Sequence, residues 1–240
     1  MNHISQFWDK QNLSLNRESS ETFYKKKAAE HRSVLSDSDA CDGILDLGCG
    51  AGELLLHLSQ LAKIDIGVDY SLSMINAAQQ RLEGQFSGLL LHVDIFNYLP
   101  STIQPVWTTT GAINQYLDAD QLSCVLDIFA SNDKVRSFYL FDCIDPLRYH
   151  LLSHSISYRP KHDLQLNFIS SVKNSVRRLI TAGGLIFNRY QKDSFYLGTP
   201  SMGYGQKPSF WLNSAVNRGL NVEIISSRYY EYRYHVVIGK

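Results

Sequence analysis

The feature that most constrains this chain is a glycine-rich turn, Asp46-Leu47-Gly48-Cys49-Gly50-Ala51-Gly52. It sits between a short apolar run at residues 43–47 and a stretch, residues 52–62, that carries Leu54, Leu55, Leu58 and Leu61 at helical spacing. Glycine permits tight turns and lets a ligand approach the main chain closely. The helix that follows such a turn presents unpaired N–H groups at its first residues. A strand, a glycine turn and a helix in that order make a seat for a nucleotide-type ligand.

The spacing narrows the ligand. A dinucleotide-binding turn places its third glycine three residues after the second. That position is Glu53 here, and the third glycine falls earlier, at Gly52. Asp46, just ahead of the loop, would repel a pyrophosphate and suits an ammonium group. The pattern favours a cationic amino-acid-like ligand over a dinucleotide.

Downstream the periodicity alternates between strand and helix. Strands are expected at residues 43–47, 64–68, 89–93, 106–110 and 137–141, and helices at 52–62, 71–82 and 118–130. Ser71 is the expected cap of the second helix. This order implies a doubly wound α/β fold, a mostly parallel sheet with helices on both faces. Further on, residues 168–180 read as a helix, 185–190 as a strand, 209–218 as a short helix, and 221–226 with 232–238 as a closing antiparallel pair. That is one strand more than seven, and residues 137–141 are favoured over 185–190 for the fifth place. Residues 145–207 then form an insertion at the carboxyl end of that strand, able to act as an acceptor lid. Residues 1–36 are polar and helix-compatible. They are expected as an N-terminal helical cap outside the sheet, with Lys25, Lys26 and Lys27 on a solvated face; residues 37–240 form the main domain.

The segment 44–53 resembles the first motif of the class I (Rossmann-like) S-adenosylmethionine-dependent methyltransferases. Gly67-Val68-Asp69-Tyr70-Ser71 resembles their second motif, an acid ending the second strand. His92-Val93-Asp94-Ile95 is similar to the third, and residues 109–117 to the segment between cofactor and acceptor. The likeness covers residues 41–142, with four pieces in order at the ends of successive strands. It implies a seven-stranded sheet, S-adenosyl-L-methionine as cofactor, and methyl transfer as the activity. By resemblance Asp46, Leu47, Gly48, Cys49, Gly50 and Gly52 lie at the methionine part of the cofactor and Asp69 at its ribose hydroxyls. Asp94 and Ile95 would lie at the adenine. Tyr70, Met74, Thr110, Gly111 and Asn114 complete the expected cofactor set. The spacing of Asp69 past the loop independently suits a ribose.

Candidate catalytic groups are less constrained, because the sulfonium is already a good leaving group and positioning does much of the work. His150, after the fifth strand, is a candidate base, and Tyr116 a candidate polar contact to the acceptor; a surface histidine and ordinary helix capping are the bland readings. Tyr196, Tyr204 and Trp211 are candidate pocket walls, and residues 228–235 are read as alternating faces of the final hairpin. Lys plus Arg equals Asp plus Glu, 23 each, giving no net charge, so a phosphate-seeking basic excess is missing. The expected partner is a small-molecule methyl acceptor, with no nucleic acid and no membrane, and methylation at oxygen or nitrogen; oligomeric state stays open. Rival readings are a tRNA or protein methyltransferase and a non-catalytic cofactor-binding subunit. The four cysteines form no C-x-x-C pair, the N-terminus has no apolar h-region, and no metal site is expected; a cytoplasmic protein is the economical reading.

Overall fold

The computed structural model describes residues 21–152, 194–198 and 202–240. The expected helix 168–180 and the expected strand 185–190 lie outside them, as do residues 1–20.

Seven strands make one sheet: β1 (Ile44–Leu47), β2 (Ile64–Asp69), β3 (Leu89–His92), β4 (Val106–Thr108), β5 (Ser137–Ile144), β8 (Asn221–Ser226) and β9 (Arg233–Gly239). Their order is β3-β2-β1-β4-β5-β9-β8. The first five pair in parallel and β9 runs antiparallel to both β5 and β8. The fifth place thus belongs to residues 137–144, as the apolar run there suggests. β6 (Ser194–Tyr196) and β7 (Tyr204–Gln206) form a separate antiparallel pair, which the sequence reading did not foresee.

The inner strands are apolar nearly throughout because both faces are covered. All four residues of β1 are buried, as are seven of the eight in β5. Alternate residues feed opposite faces. Phe138 and Leu140 join Trp107, Phe129 and Trp211 in one core; Tyr139 and Phe141 join Ile44, Leu55, Leu58 and Ala78 in the other. Around them lie α1 (Glu21–Val34), α2 (Asp37–Cys41), α3 (Glu53–Leu58), α4 (Leu72–Leu82), α5 (Ile95–Tyr98), α6 (Ala119–Ser131), α7 (Pro146–Leu152) and α8 (Pro208–Val216). Caps fix their starts. Ser71 accepts from Met74 N, and Asp118 with Gln121 forms a reciprocal capping box on α6.

Two expectations need correction. The N-terminal segment does not stand outside the core: on α1, Ala28 and His31 are fully buried and Lys27 and Glu30 nearly so. Lys25 does meet solvent, paired with Glu21 at 2.6 Å, but Lys27 points inward. The cause is specific pairing with strand residues, which a helix's own polarity does not reveal. Trp211, a candidate pocket wall, is instead in the core, donating from Nε1 to the Tyr234 hydroxyl at 2.9 Å. Tyr234 in turn donates to the Gln206 carbonyl at 2.6 Å, tying β7 to β9.

Candidate functional site

The strand order reverses beside β1: β2 lies on one side and β4 on the other, and a ligand crevice opens where connections diverge. The glycine turn leaves β1 at that point. Gly48, Gly50 and Gly52 all take positive φ, at 68°, 58° and 78°. Gly52 caps α3 in the left-handed conformation. A side-chain carbon on Gly50 would meet nothing within 4 Å, so the crest of the turn faces open space. Gly48 N and Cys49 N both donate to the Val68 carbonyl, at 2.8 and 3.0 Å, which fastens the turn to the end of β2.

Across the crevice, Gly111 follows β4. A Cβ there would sit 2.9 Å from the Gly48 carbonyl carbon and closer still to its oxygen. The two loops therefore touch backbone to backbone, which only glycine allows. Asp46 holds them in register. Its carboxylate is fully buried and accepts from Thr108 Oγ1 at 2.9 Å, from Thr110 N at 2.8 Å and from the Thr110 hydroxyl. Burial pushes the Asp46 carboxyl up to about 6 against the opposing pull of those hydrogen bonds.

That displacement has a stability consequence. Asp46 binds its proton more tightly folded than unfolded, so its contribution is full below the ordinary value of 3.8 and is lost as pH rises through about 6. The cost reached at neutral pH is about 3 kcal/mol. Asp46→Asn removes the ionisation, so its stability relative to the native protein should improve by up to that amount between pH 4 and 7. Denaturant melts of both proteins at several pH values give the difference curve; a flat difference would sink the assignment.

Asp69 ends β2 and carries the second acid. Its Oδ2 accepts from Gly50 N at 2.9 Å and its Oδ1 from Ser71 N at 2.8 Å. A carboxylate offers about four acceptor positions. These two bonds fix its orientation beside the crest of the turn. Tyr70 is half-buried next to it, and Met74 is buried on α4. Asp94 caps α5 by accepting from Phe96 N at 2.9 Å, and Ile95 is buried below it. Leu47, Cys49 and Thr110 are buried too; Cys49 packs against Gly67.

The segment after β4, with Asn114 of the expected cofactor set and Tyr116 expected at the acceptor, is drawn inward. Asn114 is fully buried, its amide donating to Cys143 Sγ at 3.2 Å and accepting from Thr109 Oγ1 at 3.3 Å. Gln115 donates to the Asp142 carbonyl at 2.9 Å. Tyr116 follows them, half-buried, against Gly203. Tyr204 packs edge-on against the more exposed Tyr196, ring centroids 5.6 Å apart. His150 lies on α7, and its side chain is outside the described set.

One group of residues escaped the sequence reading. Asp142, in the middle of β5, has φ 58° at a register shift against β9. Non-glycine residues held in that region mark sites where surroundings over-determine the backbone. Its carboxylate pairs with the Lys27 ammonium, and His31 Nε2 is 3.4 Å away. Lys27 also bonds Glu30 at 3.0 Å. Glu30 Oε1 accepts from Ser227 Oγ at 2.8 Å and Arg228 N at 2.6 Å, with His235 Nε2 at 3.3 Å. Burial opposes ionisation of both acids, but Lys27 and His31 hold Asp142 well below the usual carboxylate range. His235 and Lys27 bring Glu30 down to about 2. Burial pushes the His31 imidazole down to about 4 despite Asp142. The only sequence signal was the cluster of charges on an otherwise weakly amphipathic helix.

The sheet order, with a glycine turn and an acid at successive strand ends, is that of the class I methyltransferase fold. Residues 44–128 match the methyltransferase domain family. No curated protein matches the chain by sequence. Among solved structures it is similar to magnesium protoporphyrin IX methyltransferase from Synechocystis PCC 6803, crystallised with bound SAH, at 17% identity and a TM-score of 0.53. That match covers 98% of this chain and 93% of the other. It is also similar to an S-adenosylmethionine-dependent methyltransferase from Clostridium acetobutylicum ATCC 824, at 16% identity and a TM-score of 0.56, covering 98% and 97%. A third likeness is to the mitomycin 7-O-methyltransferase, at 15% identity and a TM-score of 0.56, covering all of this chain and 61% of that one. At these identities the structural likeness speaks for the fold. No helix among the described residues is long and apolar enough to cross a membrane.

Proposed function

We propose that this methyltransferase moves the methyl group of S-adenosylmethionine to an oxygen or nitrogen of a small-molecule acceptor in the cytoplasm. The observation that carries the cofactor part is the junction of Gly48 with Gly111, beneath an open turn crest and beside an oriented Asp69. The cofactor supplies a methyl group on a positively charged sulfur. The chain's task is to seat it: Gly50 leaves room at the turn, Asp69 takes the ribose hydroxyls, and Asp94 with Ile95 borders the adenine. Tyr116 orients the acceptor, and His150 takes up its proton where one must leave. The small-molecule assignment is supported by the balanced charge of the chain. Two of the structural neighbours are named for small-molecule acceptors, a porphyrin and mitomycin.

Calorimetric titration with S-adenosylmethionine and, separately, NAD tests the seat, with micromolar binding of the former alone expected. Asp69→Ala should weaken that binding about tenfold to a hundredfold, the worth of one or two hydrogen bonds to a charged group. Unchanged affinity would remove Asp69 from the role. Formation of S-adenosylhomocysteine should then depend on a small-molecule fraction. Turnover driven only by RNA or protein would overturn the acceptor class while leaving the seat intact.

A further inference from the structure

The cluster joining α1 to β5 and β9 is built from residues that the methyl-transfer site does not use. His31, Asp142 and His235 are all buried, and one ligand-type atom from each lies within 4.8 Å of the others. Among the described residues His31 Nδ1 has no hydrogen-bond partner, and His31 Nε2 and His235 Nε2 have only long contacts that fall short of well-formed hydrogen bonds, to Asp142 at 3.4 Å and to Glu30 at 3.3 Å. Buried imidazole nitrogens left this way cost free energy, and such orphans call for an explanation. The two rings meet edge-on with centroids 5.5 Å apart, and His31 is stacked on Phe141 at 3.9 Å, which fixes its plane.

We propose that His31, Asp142 and His235 form a site for a divalent transition-metal ion of the zinc class, which pins the N-terminal helix to the sheet. Two imidazoles and one carboxylate are the donor set such ions take from proteins. Ligand atoms about 2.0–2.2 Å from a tetrahedral ion stand about 3.3–3.6 Å apart. The observed 3.4 Å between His31 Nε2 and Asp142 Oδ2 is such an edge; the remaining edges need the rings to close in by about an ångström. Asp142 and Glu30 face the ammonium of Lys27, with the Arg233 guanidinium near enough to act on Asp142, so the case for a cation rests on the donor set rather than on an excess of negative charge. Glu30 Oε1 already serves Ser227 and Arg228 and acts beside the site rather than in it. Occupancy costs the long bond, 3.3 Å, by which Asp142 N donates to His235 Nδ1, since a metal-bound neutral ring has no spare lone pair for it. The rival is Lys27, whose ammonium already pairs with Asp142 and Glu30.

The test uses the full chain stripped by a chelator, with Co2+ as the spectroscopic probe and Zn2+ as competitor. The expected result is one equivalent of Co2+ with visible ligand-field bands, displaced by Zn2+. In a nitrogen-15 spectrum of the histidine rings, two of the eight histidines should shift on adding Zn2+. His31→Gln and His235→Gln should each weaken Co2+ binding at least about tenfold. Absence of stoichiometric binding to the folded native protein would overturn the site and leave the cluster to Lys27. Binding that survives both substitutions would overturn it equally. The native titration and the nitrogen-15 spectrum decide the matter even where a glutamine variant fails to fold.

Discussion

Gly111→Ala is expected to cost about a hundredfold or more in cofactor affinity. The added carbon would lie inside the contact distance of the Gly48 carbonyl, backbone against backbone, with no flexible side chain to yield. The loops after β1 and β4 must part, and a displacement of about an ångström in a positioning loop is worth about a hundredfold. Overpacking of this sort also costs about 1–3 kcal/mol of stability. Gly50→Ala is the informative comparison. Gly50 also has positive φ, yet its new carbon meets nothing, so only the conformational cost of about 1–2 kcal/mol applies. Titration calorimetry and thermal melts on both variants separate crowding from strain. If the alanine at 111 binds the cofactor as well as the native protein does, the close approach of the two loops plays no part in the seat.

Lys27→Met should be among the most destabilising single changes in the chain. The ammonium bridges Asp142 and Glu30 in a fully covered position. Removing one partner of a buried ion pair strands the other, at about 3–5 kcal/mol. In a domain of this size that lowers the melting temperature by about 6–20 °C. Adding Asp142→Asn should recover part of the loss, because the two residues act as one unit. Strict additivity would show that they do not. Lys25→Met is the control: its side chain is about 60% exposed, and a surface pair contributes little.

What could be read without coordinates follows from periodicity. The apolar runs of β1 and β5 declare fully buried strands, and the three glycines after β1 declare a turn that no other residue type would make. Asp69 and Asp94 were placed correctly at strand ends because strand length and helix caps set their positions. The closing hairpin of β8 and β9 was visible as two alternating runs. The pair of β6 and β7 was not, because three-residue strands leave no period to detect. Nor was the inward turn of Lys27, Glu30 and His31. Nothing local distinguishes Lys25 from Lys27; the distinction is made by Asp142 and by Ser227, residues 115 and 197 positions away from their partners on α1. Asn114 and Trp211 were assigned to ligand surfaces, yet both have their polar atoms engaged by core partners.

The bond from Ser227 to Glu30 joins the last hairpin to the first described helix. During synthesis α1 emerges early and Lys27 finds Asp142 once β5 is made, but Glu30 lacks Ser227 and Arg228 until the last hairpin has left the ribosome. The alternating half from β1 to β5 needs only near neighbours and can assemble first. The Glu30 end of the N-terminal helix is then sealed last, as the final strand slides in beside β5. A chain cut short before residue 227 would therefore expose an unfinished sheet edge with Glu30 stripped of its partners, a form that quality control can recognise.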